Sequence, residues 1–258
     1  MEFVDTHCHL QFKKYRGREN EIITNAGHSG VAKLICVGTT LSDSQAAIDI
    51  AGGHNDVWAT AGAHPHDATV FVSDPHSSKK LKKIAGQPKV VAIGETGLDY
   101  YRNISPKTDQ QQALRAHIEA GMESGLPFVF HVREAWEDFW QIYDDYRNLR
   151  GVVHSFSTNP GHLDEALSRG LYIGLNGIMT FTKEQNQLEA AKAVPLDRLV
   201  LETDAPFLTP APFRGELCEP KHVAAVAEFL ANLRTEVLPD LASATTANAA
   251  KLFNLNTL

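Results

Sequence analysis

Short β-branched apolar runs alternate along this chain with longer stretches in which apolar residues recur every three or four positions. Runs of the first kind predict strands at Glu2 to Asp5, Lys33 to Val37, Val57 to Ala61, Lys89 to Ile93, Pro127 to Phe130, Gly151 to Val153, Leu171 to Leu175 and Arg198 to Thr203. Helical patterns lie between them. Pro106 to Ser124 follows an N-cap-like Ser105 and stops at Gly125, Asn159-Pro160 opens a segment that closes at Gly170, and Glu219-Pro220 leads into the stripe Val223, Val226, Ala227, Leu230. Eight strands alternating with helices predict a parallel (β/α)8 TIM barrel, and 258 residues suits one such domain, expected to span residues 1–258.

A 43% hydrophobic content fills a large core, yet the longest apolar stretches fall far short of the roughly 20 residues of a membrane span. Glu2 and Asp5 stand where a signal peptide would have a basic start and an apolar stretch, so a cytoplasmic protein with no membrane contact is expected. Cys8, Cys36 and Cys218 are odd in number and scattered, which predicts reduced thiols. A net charge of -7 argues against bulk electrostatic binding of a polyanion, because that affinity comes from phosphate neutralisation. It leaves room for a cleft in which bound cations and a few arginines meet one. The run Lys79-Lys80-Leu81-Lys82-Lys83 reads as a solvated helix face, and no obligate protein partner is evident.

What changes the picture is where the metal-ligating residue types fall. His7 and His9, Glu95, His131, His154 and Asp204 each come just after an apolar run, which in a barrel is the end that carries chemistry. Asp5, His7 and His9 alternate with Thr6 and Cys8, so the strand period of two points them to one side, with Asp5 placed to orient an imidazole. Glu202 and Asp204 share a face in the same way, and two carboxylates in a small volume are relieved by a bound cation. Glu95 lies between Gly94 and Gly97, where a carboxylate can bridge two ions, with His131 and His154 supplying the second. His64 and His66 also follow a strand and are read as facing the substrate or backing the ligands; the remaining histidines, His117 among them, are read as structural or solvent-facing.

As a set these residues resemble the TatD family of metal-dependent hydrolases, within the amidohydrolase superfamily. The resemblance spans the chain and rests on Asp5-Thr6-His7-Cys8-His9-Leu10, Gly94-Glu95-Thr96-Gly97-Leu98-Asp99-Tyr100-Tyr101, Pro127 to His131 with Arg133-Glu134-Ala135, Gly151-Val152-Val153-His154 with Phe156, and Leu201-Glu202-Thr203-Asp204-Ala205-Pro206. It implies the (β/α)8 fold and exonucleolytic hydrolysis of DNA, on single strands or strand ends. It also implies two divalent ions (Mg2+, Mn2+ or Zn2+), one held by His7, His9, Glu95 and Asp204 and one by Glu95, His131 and His154. Val132, Ser155 and Cys218 depart from the usual pattern, and Cys218, in a loop expected to meet substrate, bears on preference rather than catalysis.

In that reading a metal-activated water attacks the phosphodiester, and Asp204 or Glu202 takes its proton. Arg133 and Arg214 hold flanking phosphates, and Tyr100 and Tyr101 stack on bases. The same constellation suits amides and aminoacyl esters, so the alternative is an amidohydrolase-like C–N or ester hydrolase such as an aminoacyl-tRNA deacylase, with a catalytically silent binding barrel third.

Overall fold

In the computed structural model, which describes residues 1–255, eight strands are hydrogen-bonded in one sheet in chain order. They are β1 (Phe3–Cys8), β2 (Val31–Cys36), β3 (Val57–Ala61), β4 (Val90–Asp99), β5 (Phe128–Arg133), β6 (Gly151–Val153), β7 (Tyr172–Leu175) and β8 (Leu199–Leu201). One or more helices follow every strand, and the paired strands are parallel, which is the (β/α)8 topology. The chain gathers into two compact units, Met1–Cys36 with the chain from Ser155 onward, and Val37–His154. Among the described residues no helix is long and apolar enough to cross a membrane.

In the first unit β1 pairs with β2 from Phe3↔Val31 to Cys8↔Cys36, and β7 with β8 from Ile173↔Leu199 to Leu175↔Leu201. The chain's last strand is tied to its first. Thr6 Oγ1 donates to the Leu201 carbonyl at 2.9 Å, the Asp204 N–H to the His7 carbonyl at 2.8 Å and the His9 N–H to the Ala205 carbonyl at 2.8 Å. The stripe Val223, Val226, Ala227, Leu230 on the helix Val223–Arg234 is fully buried, each larger side chain worth roughly 1.5–3 kcal/mol of transfer free energy. Asn248, on the helix Leu238–Phe253, donates to the carbonyls of Leu196 and Leu199 at 2.8 Å each and so anchors that helix to the start of β8.

In the second unit β4 and β5 run past the ends expected for them. The apolar runs stop at Ile93 and Phe130, but pairing continues through Thr96↔Phe130, Gly97↔His131 and Leu98↔Val132 to Asp99↔Arg133. Glycine makes this possible: Gly97 has φ 149, and a Cβ there would lie 1.9 Å from the His131 carbonyl oxygen, so only a bare backbone fits against β5. Glu95 and His131 therefore sit inside strands, as His7 does in β1, rather than on the loops beyond them. The helix Lys107–Ser124 begins after Pro106 and ends on Gly125 in the left-handed region at φ 67. The lysine run falls on the helix Ser77–Ala85, where Leu81 is buried, Lys80 pairs with Asp74 at 2.7 Å and Lys82 with Glu123 at 2.6 Å, a solvated face as expected.

Candidate metal centre

In the first unit the strand pleat brings imidazoles to a carboxylate. His7 Nε2 lies 3.7 Å and His9 Nε2 3.3 Å from Asp204 Oδ1, with the two rings edge to face at 5.0 Å. Both histidines are buried. Asp204 reaches them because its backbone is left-handed, φ 60, a conformation that costs a non-glycine residue of order 1–3 kcal/mol and persists only where its surroundings hold it. The holding is done by Asp5. Its Oδ1 accepts from the Thr203 N–H at 2.9 Å and the His7 N–H at 3.2 Å, and its Oδ2 from Thr203 Oγ1 at 2.6 Å. Asp5, expected to orient a ring, thus clamps the residue before Asp204 to β1; burial pushes its carboxyl up to about 8 against the pull of these hydrogen bonds.

Glu202 belongs to the same unit, with a carboxylate oxygen within 4.8 Å of a His7 ring nitrogen. Its Oε1 accepts from the Ser155 N–H at 2.5 Å and the Asn176 amide at 3.4 Å, and Asn176 also donates to Ser155 Oγ at 2.9 Å. Gly174 leaves this carboxylate its space, since a Cβ there would sit 2.4 Å from Oε2. Ser155, one of the departures from the family pattern, is itself left-handed at φ 50, and its backbone N–H is what meets Glu202. Cys218 is fully buried, with the Tyr15 hydroxyl donating to its carbonyl and burial driving its thiol well above the usual range. It therefore does not lie where substrate could touch it. Cys8 points away from its neighbours His7 and His9, its Sγ 3.4 Å from the Ile35 carbonyl.

The second unit gathers four histidines around two carboxylates. Three rings face Glu95 Oε1: His131 Nδ1 at 2.9 Å, His64 Nε2 at 3.5 Å and His154 Nε2 at 3.7 Å. Asp99 Oδ2 receives His66 Nε2 at 3.0 Å and His131 Nε2 at 3.2 Å, while its Oδ1 accepts the Arg102 N–H at 2.8 Å. Burial works against charge on Asp99, but the hydrogen bonds from His131, Arg102 and His66 prevail and hold its carboxyl well below the usual range. His131, with a carboxylate at each nitrogen, is raised despite its burial. His64, by contrast, is pushed down to about 3 by burial and is neutral.

His64, Glu95 and His131 offer donor atoms within 4.8 Å of one another, a spacing a metal could use. The tautomer of His64 argues otherwise for that ring: its Nδ1 accepts the His66 N–H at 3.1 Å, which puts its one proton on Nε2, toward Glu95. Behind it, His117 Nε2 accepts the Ala63 N–H at 2.9 Å while Nδ1 donates to the Ala113 carbonyl at 2.6 Å, fixing the backbone that carries His64. Burial lowers His117 to about 4.

The expected substrate contacts are placed unevenly. Tyr100 is half-buried, its hydroxyl donating to Asp138 at 2.7 Å and accepting from Gln111 at 2.9 Å, with Lys107 4.0 Å above the ring. Tyr101 is 54% exposed and carries the Arg133 guanidinium 4.0 Å from its centroid. Arg214 lies 3.8 Å over Phe181 and donates to the Thr209 carbonyl at 2.6 Å. Asp99 received no role in the sequence reading. The signal for it was present, since residues 95, 97 and 99 share a face once β4 is carried past Ile93.

Imidazoles and carboxylates meeting at strand ends of a (β/α)8 chain are the donor set of a barrel metallohydrolase, and mixed N/O donors of this kind fit a divalent cation. Residues 4–254 match the family model "TatD related DNase". The chain is 35% identical over 261 residues to the uncharacterized metal-dependent hydrolase YcfH of Escherichia coli, covering 99% of this chain and 97% of that one. It is 36% identical over 253 residues to the 3'-5' ssDNA/RNA exonuclease TatD of Erwinia tasmaniensis, covering 95% and 96%. Among solved structures, the TatD homologue YJJV of Escherichia coli superimposes with a TM-score of 0.90 at 28% identity, covering 98% of both chains. The chain belongs to the TatD family and is a metal-dependent hydrolase.

Proposed function

We propose that this TatD-family hydrolase is an exonuclease that cleaves phosphodiester bonds of DNA, on single strands or strand ends. The observation that carries the reading is the pair of imidazoles, His131 and His154, turned on one carboxylate oxygen of the buried Glu95, a concentration of donors that a divalent ion would complete. Relatives named as ssDNA/RNA exonucleases at similar identity support the substrate class. In this reading His7, His9 and Asp204 are the metal ligands of the first unit and Glu95, His131 and His154 those of the second, for Mg2+, Mn2+ or Zn2+. Bound there, divalent ions lower the pKa of an attacking water toward neutrality and offset charge developing on the phosphoryl group.

The chain's own residues do the rest. Asp204 or Glu202 takes the proton of the attacking water, Asp204 positioned by the Asp5–Thr203 clamp and Glu202 by Ser155 and Asn176. His64 and His66 face the substrate side, His64 as a neutral donor toward Glu95 and His66 braced on Asp99. Arg133, seated on Tyr101, and Arg214, seated on Phe181, hold flanking phosphates with forked hydrogen bonds, and Tyr100 lines the approach.

Metal-stripped protein incubated with end-labelled single-stranded DNA and magnesium, manganese or zinc in turn tests this. Stepwise shortening that needs metal and is lost in Glu202→Ala and Asp204→Ala is expected. DNA left intact by protein shown to carry two ions would end the nuclease reading and turn the search to amides and aminoacyl esters.

A further inference from the structure

Two turns of the first unit leave from metal-ligand candidates and bring aromatic rings together. Phe12 follows His9 by three residues and its N–H donates to the His9 carbonyl at 3.1 Å; Phe207 follows Asp204 by three and donates to the Asp204 carbonyl at 2.9 Å. Phe12 stacks on the His9 ring at 4.5 Å and 13°, and Phe207 stands edge to face with Phe12 at 6.0 Å and with His9 at 6.5 Å. Phe207 is 42% exposed, and Lys14 Nζ lies 5.0 Å from its centroid. A lone exposed phenylalanine is ordinary on a protein surface. One packed into an aromatic group that begins at a ligand imidazole, with a cation on it, has the composition of a base-stacking platform.

The charge around it is equally local. Lys13, Lys14 and Arg16 are all exposed, and among the described residues none makes an ion pair with a carboxylate, whereas Arg18 pairs with Glu21 at 2.8 Å and Lys80 and Lys82 have their own acids. In a chain of net charge -7, three uncommitted cations within four residues make a patch opposite in sign to the whole. An exposed ring and adjacent cations without carboxylate partners match the two halves of a nucleotide, a π-face and a phosphate.

We propose that Phe12 and Phe207, with Lys13, Lys14 and Arg16, form the surface on which a single-stranded nucleic acid lies, its terminal base stacked on Phe207 and its backbone along the three cations. The proposal rests on the nuclease reading and adds to it a site for the strand outside the metal ligands. Every base offers a π-face, so binding here is tolerant of sequence.

The test uses the metal-loaded protein and a hydrolysis-resistant phosphorothioate single strand with a terminal 2-aminopurine, whose fluorescence falls on stacking. Binding with quenching is expected. Phe207→Ala is expected to weaken binding by about ten-fold, within the range for unstacking one base, and to abolish the quench, while Phe207→Trp retains both. Lys13→Ala with Lys14→Ala should lower the slope of log affinity against log salt by roughly 0.7 for each phosphate no longer neutralised, and Lys79→Ala should not change it. A wild-type protein that shortens DNA, with Phe207→Ala binding and quenching as tightly, would overturn the platform and leave the nuclease reading standing. Wild-type protein that neither binds nor shortens any strand would overturn both.

Discussion

The two groups of candidate ligands are built on opposite terms. In the first unit, His7 and His9 approach a single oxygen of Asp204 at 3.3–3.7 Å, and the strength of the arrangement lies in its scaffold: a buried carboxyl, Asp5, binds the Thr203 backbone and hydroxyl so that Asp204 can hold a left-handed conformation. In the second unit the candidate side chains also brace one another, with His131 between Glu95 and Asp99 at 2.9 and 3.2 Å and His66 sharing Asp99. The first group is positioned by backbone and the second by mutual hydrogen bonds. A substitution in the first should therefore act locally, whereas one in the second should disturb several donors together.

The largest effect is expected from Glu95→Gln. It keeps the shape but removes the charge that three imidazoles face, so turnover should fall by at least about 1,000-fold, beyond the 10- to 100-fold typical for residues that only support ligands, and bound metal counted by atomic emission should fall with it. Asp204→Ala should also stop turnover, yet retain the ion of the second unit, because His131 and its carboxylates are untouched. Equal metal loss in both variants would erase the distinction between the two groups. Next in size is Asp99→Asn, which leaves His131 and His66 without their shared carboxylate; activity or metal affinity should drop about 10- to 100-fold. If Asp99→Asn were indistinguishable from wild type in both, the mutual bracing of the second unit would have no functional weight.

The first unit's candidate ligands were the more legible in sequence, and the reason is physical. His7 and His9 follow an apolar run at strand spacing, so the period of two brings them to one face, and Asp204 follows Leu199-Val200-Leu201, though it reaches them through a left-handed turn that the period does not predict. The eight strands were found in the right order because each is a short apolar run bounded by glycine, proline or charge. Strand ends were less visible: Thr96 to Asp99 and Val132-Arg133 carry little apolar signal, and their pairing is backbone hydrogen bonding that Gly97 permits. Asp99 was missed with them. Contacts between distant residues left no mark at all. Asp5 meets Thr203 across 198 positions, and Phe12 meets Phe207 by the fold alone. Cys218 looked exposed because it lies in a loop, but loop residues can be as buried as core ones when a tyrosine such as Tyr15 closes over them.

The smallest expected effect concerns stability and separates the second unit's support from its chemistry. His117 is buried between the Ala63 N–H and the Ala113 carbonyl, and its pKa is depressed to about 4 from an ordinary 6.5. The folded state thus refuses a proton that the unfolded chain accepts. Its stabilising contribution is complete above pH 6.5 and is lost as pH falls toward 4, by linkage about 1.4 kcal/mol at pH 5.5 and about 3 kcal/mol at the lower end. Urea denaturation of wild type and His117→Gln at pH 8 and pH 5.5 isolates this, because every titration the two proteins share cancels in the difference. The wild type should lose more stability across that interval by about 1.4 kcal/mol, and glutamine, which can accept from Ala63 and donate to Ala113, should keep the backbone before His64 in place. Parallel pH profiles would mean that His117 titrates normally in the folded protein, and that the backbone of the second unit opens to water more readily than its burial implies.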